Sequence, residues 1–196
     1  MAQPSSPILI IALLIPAAAL GCSRITNTSS PAPEPIARSA ADPEANSPAT
    51  PPPAIQQWMD RLTVQHEYDP STGFIVARET IALPPLIRDA PTLDAAVKAA
   101  ASDRIIIAFA TADRCAPCQQ YKKDALNDPS VLARLAHPRF IPTHVEVDRT
   151  PQLADEYLGS RAIPMTYALR EGKVIAELRG QRSAADLLEW LIDLHR

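Results

Sequence analysis

The sequence predicts a mixed α/β domain, a mixed β-sheet sandwiched between helices. Three observations carry that class. Apolar runs of strand length alternate with segments of helical periodicity in the order α, β, α, β, α, β, β, α over the C-terminal half of the chain. After its first residue the run Arg104 to Ala110 is continuously apolar, as suits a central strand covered on both faces. The closing segment Ala184 to Leu194 presents Leu187, Leu188, Leu191 and Ile192 as one core face of a helix.

Taken from the start, Ile8 to Leu20 is almost wholly apolar. That is the length of a signal-peptide hydrophobic region and short of the roughly 20 residues a spanning helix needs. Pro16 also argues against a stable span. The run ends in Ala19-Leu20-Gly21-Cys22, which resembles the lipobox of bacterial lipoproteins, although no Lys or Arg precedes Arg24 to supply a basic leader. The resemblance implies a lipoprotein-type signal peptide over residues 1–21, lipidation of Cys22, and attachment to a membrane through that lipid. The address is then the periplasmic side of the cell envelope, or secretion if the signal is simply cleaved. Disulfide chemistry is normal there.

Residues 22–53 shift to Pro, Ala, Ser, Thr, Asn and Glu, including Pro31, Pro33, Pro35, Pro43, Pro48 and Pro51-Pro52-Pro53. Few of these could bury a core, so the segment reads as a disordered, polyproline-like tether. At about 3.1 Å per residue it reaches on the order of 90 Å at most. Residues 54–91 form an N-terminal extension. A short helical turn is expected at Ile55 to Met59, and a hairpin from the alternation of Leu62, Val64, His66 and Tyr68, the turn Asp69 to Gly73, and a strand from Phe74 to Leu83. No cysteine, histidine or carboxylate stands at metal-binding spacing from His66, so it reads as a pairing residue.

The main domain is expected over residues 92–196. Thr92 caps a helix through Leu93, Ala96, Val97 and Ala100. The central strand Arg104 to Ala110 leads through a polar turn into a helix from Ala116 to Leu126. Asn127 to Ser130 interrupts that helix, and Val131 to Ala136 resumes it. Phe140 to Val147 is a strand, and Thr150 to Tyr157 a helix with Pro151 in its first turn. Met165 to Leu169 and Val174 to Leu178 are strands joined through Glu171-Gly172-Lys173.

Charge and cysteines narrow the chemistry. A net charge of −3 on 196 residues, with no basic block, gives nucleic acid nothing to bind. Of the three cysteines, Cys22 is accounted for by the lipobox, leaving Cys115-Ala116-Pro117-Cys118. Two thiols at a helix start are either a redox pair or half of a metal site. His137, His144 and His195 show no regular spacing to them, and the redox reading is the stronger.

Over Thr92 to Arg196 the chain resembles the thioredoxin superfamily. The residues that carry the likeness are the Cys-x-x-Cys after the first core strand, Ile163-Pro164 before the next-to-last strand, and the element order. Asp128-Pro129-Ser130-Val131 and Val145-Glu146-Val147-Asp148 are similar to extracytoplasmic domains related to the C-terminal domain of the thiol reductase DsbD. The resemblance implies a thioredoxin-like fold and a thiol–disulfide oxidoreductase acting on protein disulfides, with no cofactor and no bound metal. It also implies a cis Ile163-Pro164 bond lying against Cys115, with the peptide groups of Ile163 free to pair with an extended substrate segment.

Cys115, at the mouth of the turn and at a helix N-terminus, is the expected nucleophile, since backbone amides and the helix dipole favour its thiolate. Cys118, one turn further in, is the resolving thiol. Two departures stand out. Arg114 occupies the position of a Trp in thioredoxins proper, which makes the substrate surface more cationic. Allowing one extra residue in the turn, Ala108 is the closest match to the buried Asp that moves protons there, so His144 is the candidate relay. The dipeptide Ala-Pro is closer to the Gly-Pro of reducing thioredoxins than to the Pro-His of the periplasmic oxidant. A reductase fed by a membrane thiol electron donor is therefore expected. The alternative is a Cu- or Zn-binding chaperone module using both thiolates.

Overall fold

The computed structural model describes residues 50–194. The signal-type segment, Cys22 and most of the tether lie outside the described residues. The elements, in chain order, are α1 (Pro53–Met59), β1 (His66–Asp69), β2 (Phe74–Ala77), α2 (Pro85–Arg88), α3 (Leu93–Ala99), β3 (Ile105–Thr111), α4 (Ala116–Tyr121), α5 (Pro129–Leu135), β4 (Phe140–Glu146), α6 (Pro151–Leu153), β5 (Met165–Arg170), β6 (Lys173–Arg179) and α7 (Ala184–Asp193). Helix α4 continues as a π-helical segment, Lys122–Leu126, and α6 as another, Ala154–Leu158.

Four strands form one mixed sheet in the order β4-β3-β5-β6. Strands β3 and β4 run parallel, while β5 pairs antiparallel with both β3 and β6. Every residue of β3 is buried, because helices cover both faces of the sheet. Its side chains alternate between two cores, as strand geometry requires. Ile105, Ile107 and Phe109 pack with Tyr121, Leu126, Val131, Leu135, Leu187 and Leu191, from α4 and its extension, α5 and α7. Ile106, Ala108 and Ala110 pack with Leu93, Ala96, Ala154 and Leu158, from α3 and the α6 segment. The fold is thus the mixed α/β sandwich that the sequence predicts.

Local chemistry fixes the helix starts. The Thr92 hydroxyl accepts the Ala95 amide at the head of α3. The Asp128 carboxylate accepts the Ser130 and Val131 amides before α5. Ser183 and Asp186 form a reciprocal capping box on α7.

The extension differs from expectation in extent. The hairpin β1-β2 is present, with His66 opposite Ala77 and Asp69 opposite Phe74, and Gly73 at φ +75° supplies the left-handed residue of its turn. Strand β2 stops at Ala77 rather than Leu83. Beyond it the Arg78 amide still bonds the Gln65 carbonyl, but the Ile81 amide turns to the Gln119 side chain, so the ladder ends. Helix α2, unforeseen in the sequence, follows Pro84 and buries Ile87 in the larger core.

Candidate functional site

The site forms where β3 ends and α4 begins. Strand β3 delivers the chain through Ala112, Asp113 and Arg114 to Cys115, the residue that caps α4. Pro117 sits in the first turn, where a missing amide hydrogen costs little. Cys115 and Cys118 are joined as a disulfide with Cα atoms 5.2 Å apart. The Cys118 amide donates to Cys115 Sγ at 3.2 Å. Cys115 is half-buried, whereas Cys118 is 0 % exposed. An outer sulfur is thus accessible, held by a backbone donor, and backed by an inner one that solvent does not reach.

The Ile163-Pro164 bond is cis. It immediately precedes Met165, which pairs with Ala110 near the end of β3. Pro164 is buried and Ile163 half-buried. The Pro164 carbonyl accepts the Gly180 amide at 3.0 Å, which ties this turn to the end of β6. Arg114 is exposed beside Cys115, and its carbonyl accepts the Ala77 amide at 2.8 Å.

That last bond belongs to a contact the sequence did not foretell. Val76 of β2 forms an antiparallel bridge with Cys115. Leu62, Val64 and Ile75 of the extension pack with Ala116. Two buried glutamines on α4 secure the arrangement. Gln120 Oε1 accepts the amides of Thr63 (2.7 Å) and Val64 (3.0 Å). Gln119 Oε1 accepts the Ile81 amide at 2.7 Å, while its Nε2 donates to the Asp113 carbonyl. Between them the two glutamines satisfy the Thr63, Val64 and Ile81 amides and the Asp113 carbonyl.

On the inner side, the structure corrects the expected proton path. Ala108 faces the α3 core, so it does not lie behind the dithiol helix; the β3 side chains on the α4 side are Ile107, Phe109 and Thr111. The one-residue allowance in the turn put the expectation on the wrong face, because neighbouring strand residues point oppositely. His144 is paired in register with Phe109, and Glu146 with Thr111, so both carry their side chains to the α4 side. His144 Nε2 lies 2.7 Å from Thr111 Oγ1 and 3.9 Å from Glu146 Oε2. Burial, with the nearby Lys122 and Arg149 charges and against Asp113, lowers the His144 pKa to about 4. The imidazole is therefore neutral at physiological pH, and its contact with Glu146 is not an ion pair. Burial raises the Glu146 carboxyl above its usual range, against the Asp113 amide bonded to Oε1 at 2.7 Å. Its other oxygen, Oε2, is buried without a hydrogen-bond partner.

Lys122 completes this cluster. It lies one turn after Cys118 and is 2 % exposed, on the same helical face by i,i+4 spacing. Its Nζ is 3.6 Å from Asp113 Oδ1, and Asp113 also pairs with Arg149. A lysine this buried is uncommon unless it is paired. Spacing from Cys118 was the only sequence signal that could have singled it out. Among the described residues, no group of three or more His, Cys, Asp or Glu side chains is placed to hold a metal ion.

Comparison with known proteins bears on the same stretch. A family model described as a thioredoxin-like domain matches residues 93–195. A thioredoxin from Thermus thermophilus is 27 % identical, covering 53 % of this chain and 84 % of that one, at a TM-score of 0.46. The corresponding values for a thioredoxin of Nicotiana alata are 26 %, 48 %, 75 % and 0.38. A poplar thioredoxin h mutant gives 19 %, 52 %, 74 % and 0.43. No curated protein matches the chain.

Proposed function

This chain belongs to the thioredoxin-like domain family, and from that premise we propose that it is an extracytoplasmic thiol–disulfide oxidoreductase that reduces protein disulfides. One observation carries the reading: a half-buried Cys115 bonded to a fully buried Cys118 at the start of α4, with the Cys118 amide aimed at Cys115 Sγ. In the reduced protein that amide stabilises a Cys115 thiolate, the form that attacks disulfides.

The Cys115 thiolate attacks one sulfur of the client disulfide, forming a mixed disulfide and releasing the client's other sulfur as thiolate. Cys118 then loses its proton and attacks Cys115 Sγ. The client leaves as a dithiol, having gained two electrons, and the Cys115–Cys118 disulfide forms. A membrane thiol donor returns two electrons to complete the cycle. Ile163, ahead of Pro164, offers its peptide groups to an extended client segment, and Arg114 adds positive charge beside the attacking sulfur.

The proton from Cys118 has no acceptor at Ala108. We assign its removal to the cluster on the α4 side of the sheet: Glu146, whose Oε2 is unpartnered, with His144 as relay and Lys122 as a fixed cation one turn from Cys118. Lipid attachment at Cys22 would hold the domain at the periplasmic face of a membrane.

Insulin reduction by dithiothreitol-recycled protein tests the reading. Cys115→Ser should bring the rate to background, and Cys118→Ser should accumulate mixed disulfides. Undiminished reduction by Cys115→Ser would overturn it. Stoichiometric copper or zinc retention by the reduced protein, lost when both cysteines are Ser, would instead favour the metal-binding module.

A further inference from the structure

A groove of about 430 Å³ opens between two parts of the chain. Trp58, Arg61 and Leu62, in α1 and just after it, line one side; Arg179, Gly180 and Arg182, at the end of β6 and before α7, line the other. Both sides connect to the dithiol site. Leu62 shares an apolar cluster with Ala116, the residue after Cys115, and the Gly180 amide bonds the Pro164 carbonyl. One wall of the groove thus packs on the start of α4 and the other is hydrogen-bonded to the cis-proline turn.

The lining has a definite chemistry. Trp58 is 38 % exposed. Neither Arg61 nor Arg182 meets a carboxylate among the described residues; Arg182 Nε donates only to the Arg179 carbonyl, at 2.9 Å. Arg179 reaches Glu177 at 3.3 Å. The chain as a whole carries a net charge of −3, so two uncompensated guanidinium groups facing one groove run against its overall charge. Trp58, Arg61 and Leu62 also fall outside residues 93–195, the part that matches the family. That side of the groove lies outside the matched stretch.

We propose that the groove docks an extended acidic segment of the disulfide-bearing client, with carboxylates on Arg61 and Arg182 and an apolar side chain against Trp58. The identity of the occupant as a client rests on the oxidoreductase reading. Guanidinium forks match carboxylates in geometry as well as charge. Like charge on a basic segment would be repelled from the same walls, so the groove discriminates as well as attracts.

Cysteine-free peptides of one sequence, made rich in Glu, Gln or Lys, test this by calorimetric titration of the full chain in neutral detergent. The Glu peptide should bind about tenfold more tightly than the Gln peptide at low ionic strength, and the preference should shrink in high salt. The double variant Arg61→Glu, Arg182→Glu should reverse the order in favour of Lys. Equal binding of all three peptides, or an order that survives the double reversal, would overturn the proposal. Because these peptides hold no sulfur, the outcome is separate from exchange activity. Failure of the wild-type chain to reduce a small neutral disulfide would count against the oxidoreductase reading while leaving the docking result standing.

Discussion

The two sides of the Cys115–Cys118 pair are built from different materials. On the inner side, strands β3 and β4 and helix α4 bring Thr111, Asp113, Lys122, His144 and Glu146 into a largely buried polar cluster. On the outer side, a hairpin and a short helix from the extension press against Cys115 and Ala116 and leave arginines and a tryptophan in solvent. Charge buried inside acts strongly over short distances, because the surroundings screen it little. Outside, charge is screened by water and salt, and serves to select partners more than to shift protons. On the proposed mechanism this contrast is a division of labour, with proton handling assigned to the inner side and client choice to the outer.

Predictions can break that division. The largest effect belongs to the inner side. Glu146→Gln combined with His144→Asn should slow the resolving step about a hundredfold, the usual scale of a lost general base. Stopped-flow kinetics should show the mixed disulfide accumulating, with the first attack little changed; a slowed first attack instead would place these groups elsewhere in the mechanism.

Next comes Lys122→Met. Removing a nearby cation should move the acid limb of the pH–rate profile upward by about one unit. Stability should change little, since an apolar side chain of similar length avoids the cost of a buried charge. A profile that does not move would reduce Lys122 to a packing residue.

On the outer side, Gln120→Ala should lower stability by about 1–3 kcal/mol, because it leaves the Thr63 and Val64 amides without their acceptor. Denaturant unfolding measures the loss, and faster amide exchange at Val64 locates it. The pH–rate profile should be unchanged, whereas a shift would show the two sides to be coupled.

Last comes the pH dependence of stability, to which His144 and Glu146 contribute with opposite signs. The His144 pKa is lowered to about 4 from the ordinary 6.5, so between those values the unfolded chain binds a proton that the folded chain refuses. Stability from this group is complete above the ordinary value and falls as pH drops towards about 4. Glu146, shifted upward, has the opposite sign. It holds a proton in the folded state above the ordinary carboxyl value, so its contribution falls as pH rises. In thermal melts taken across that interval, His144→Gln should lessen the acid-side loss.

Much of the fold was legible because burial is periodic in the sequence. The unbroken apolar run of β3, the Thr92 cap, the helical face of Leu187 and Leu191, and the Cys-x-x-Cys at a helix start each depend on neighbours a few residues away. The cis Ile163-Pro164 bond was legible through resemblance and its place before β5. Helix α2 was missed because four residues between prolines hold too short a pattern to read.

The sequence by itself determined the α/β order, the positions of the two sulfurs, and which of them heads the helix. Tertiary structure alone decided which strand residues face α4, and so exchanged Ala108 for the neighbourhood of Phe109, Thr111, His144 and Glu146. It also decided that Lys122 is buried, that Val76 bridges Cys115, and that Arg61 and Arg182 share a groove. The physical reason is common to all of these. Periodicity tells that a side chain is covered, but the covering partner lies tens of residues away, brought there only when the sheet register is set and the extension folds back over α4.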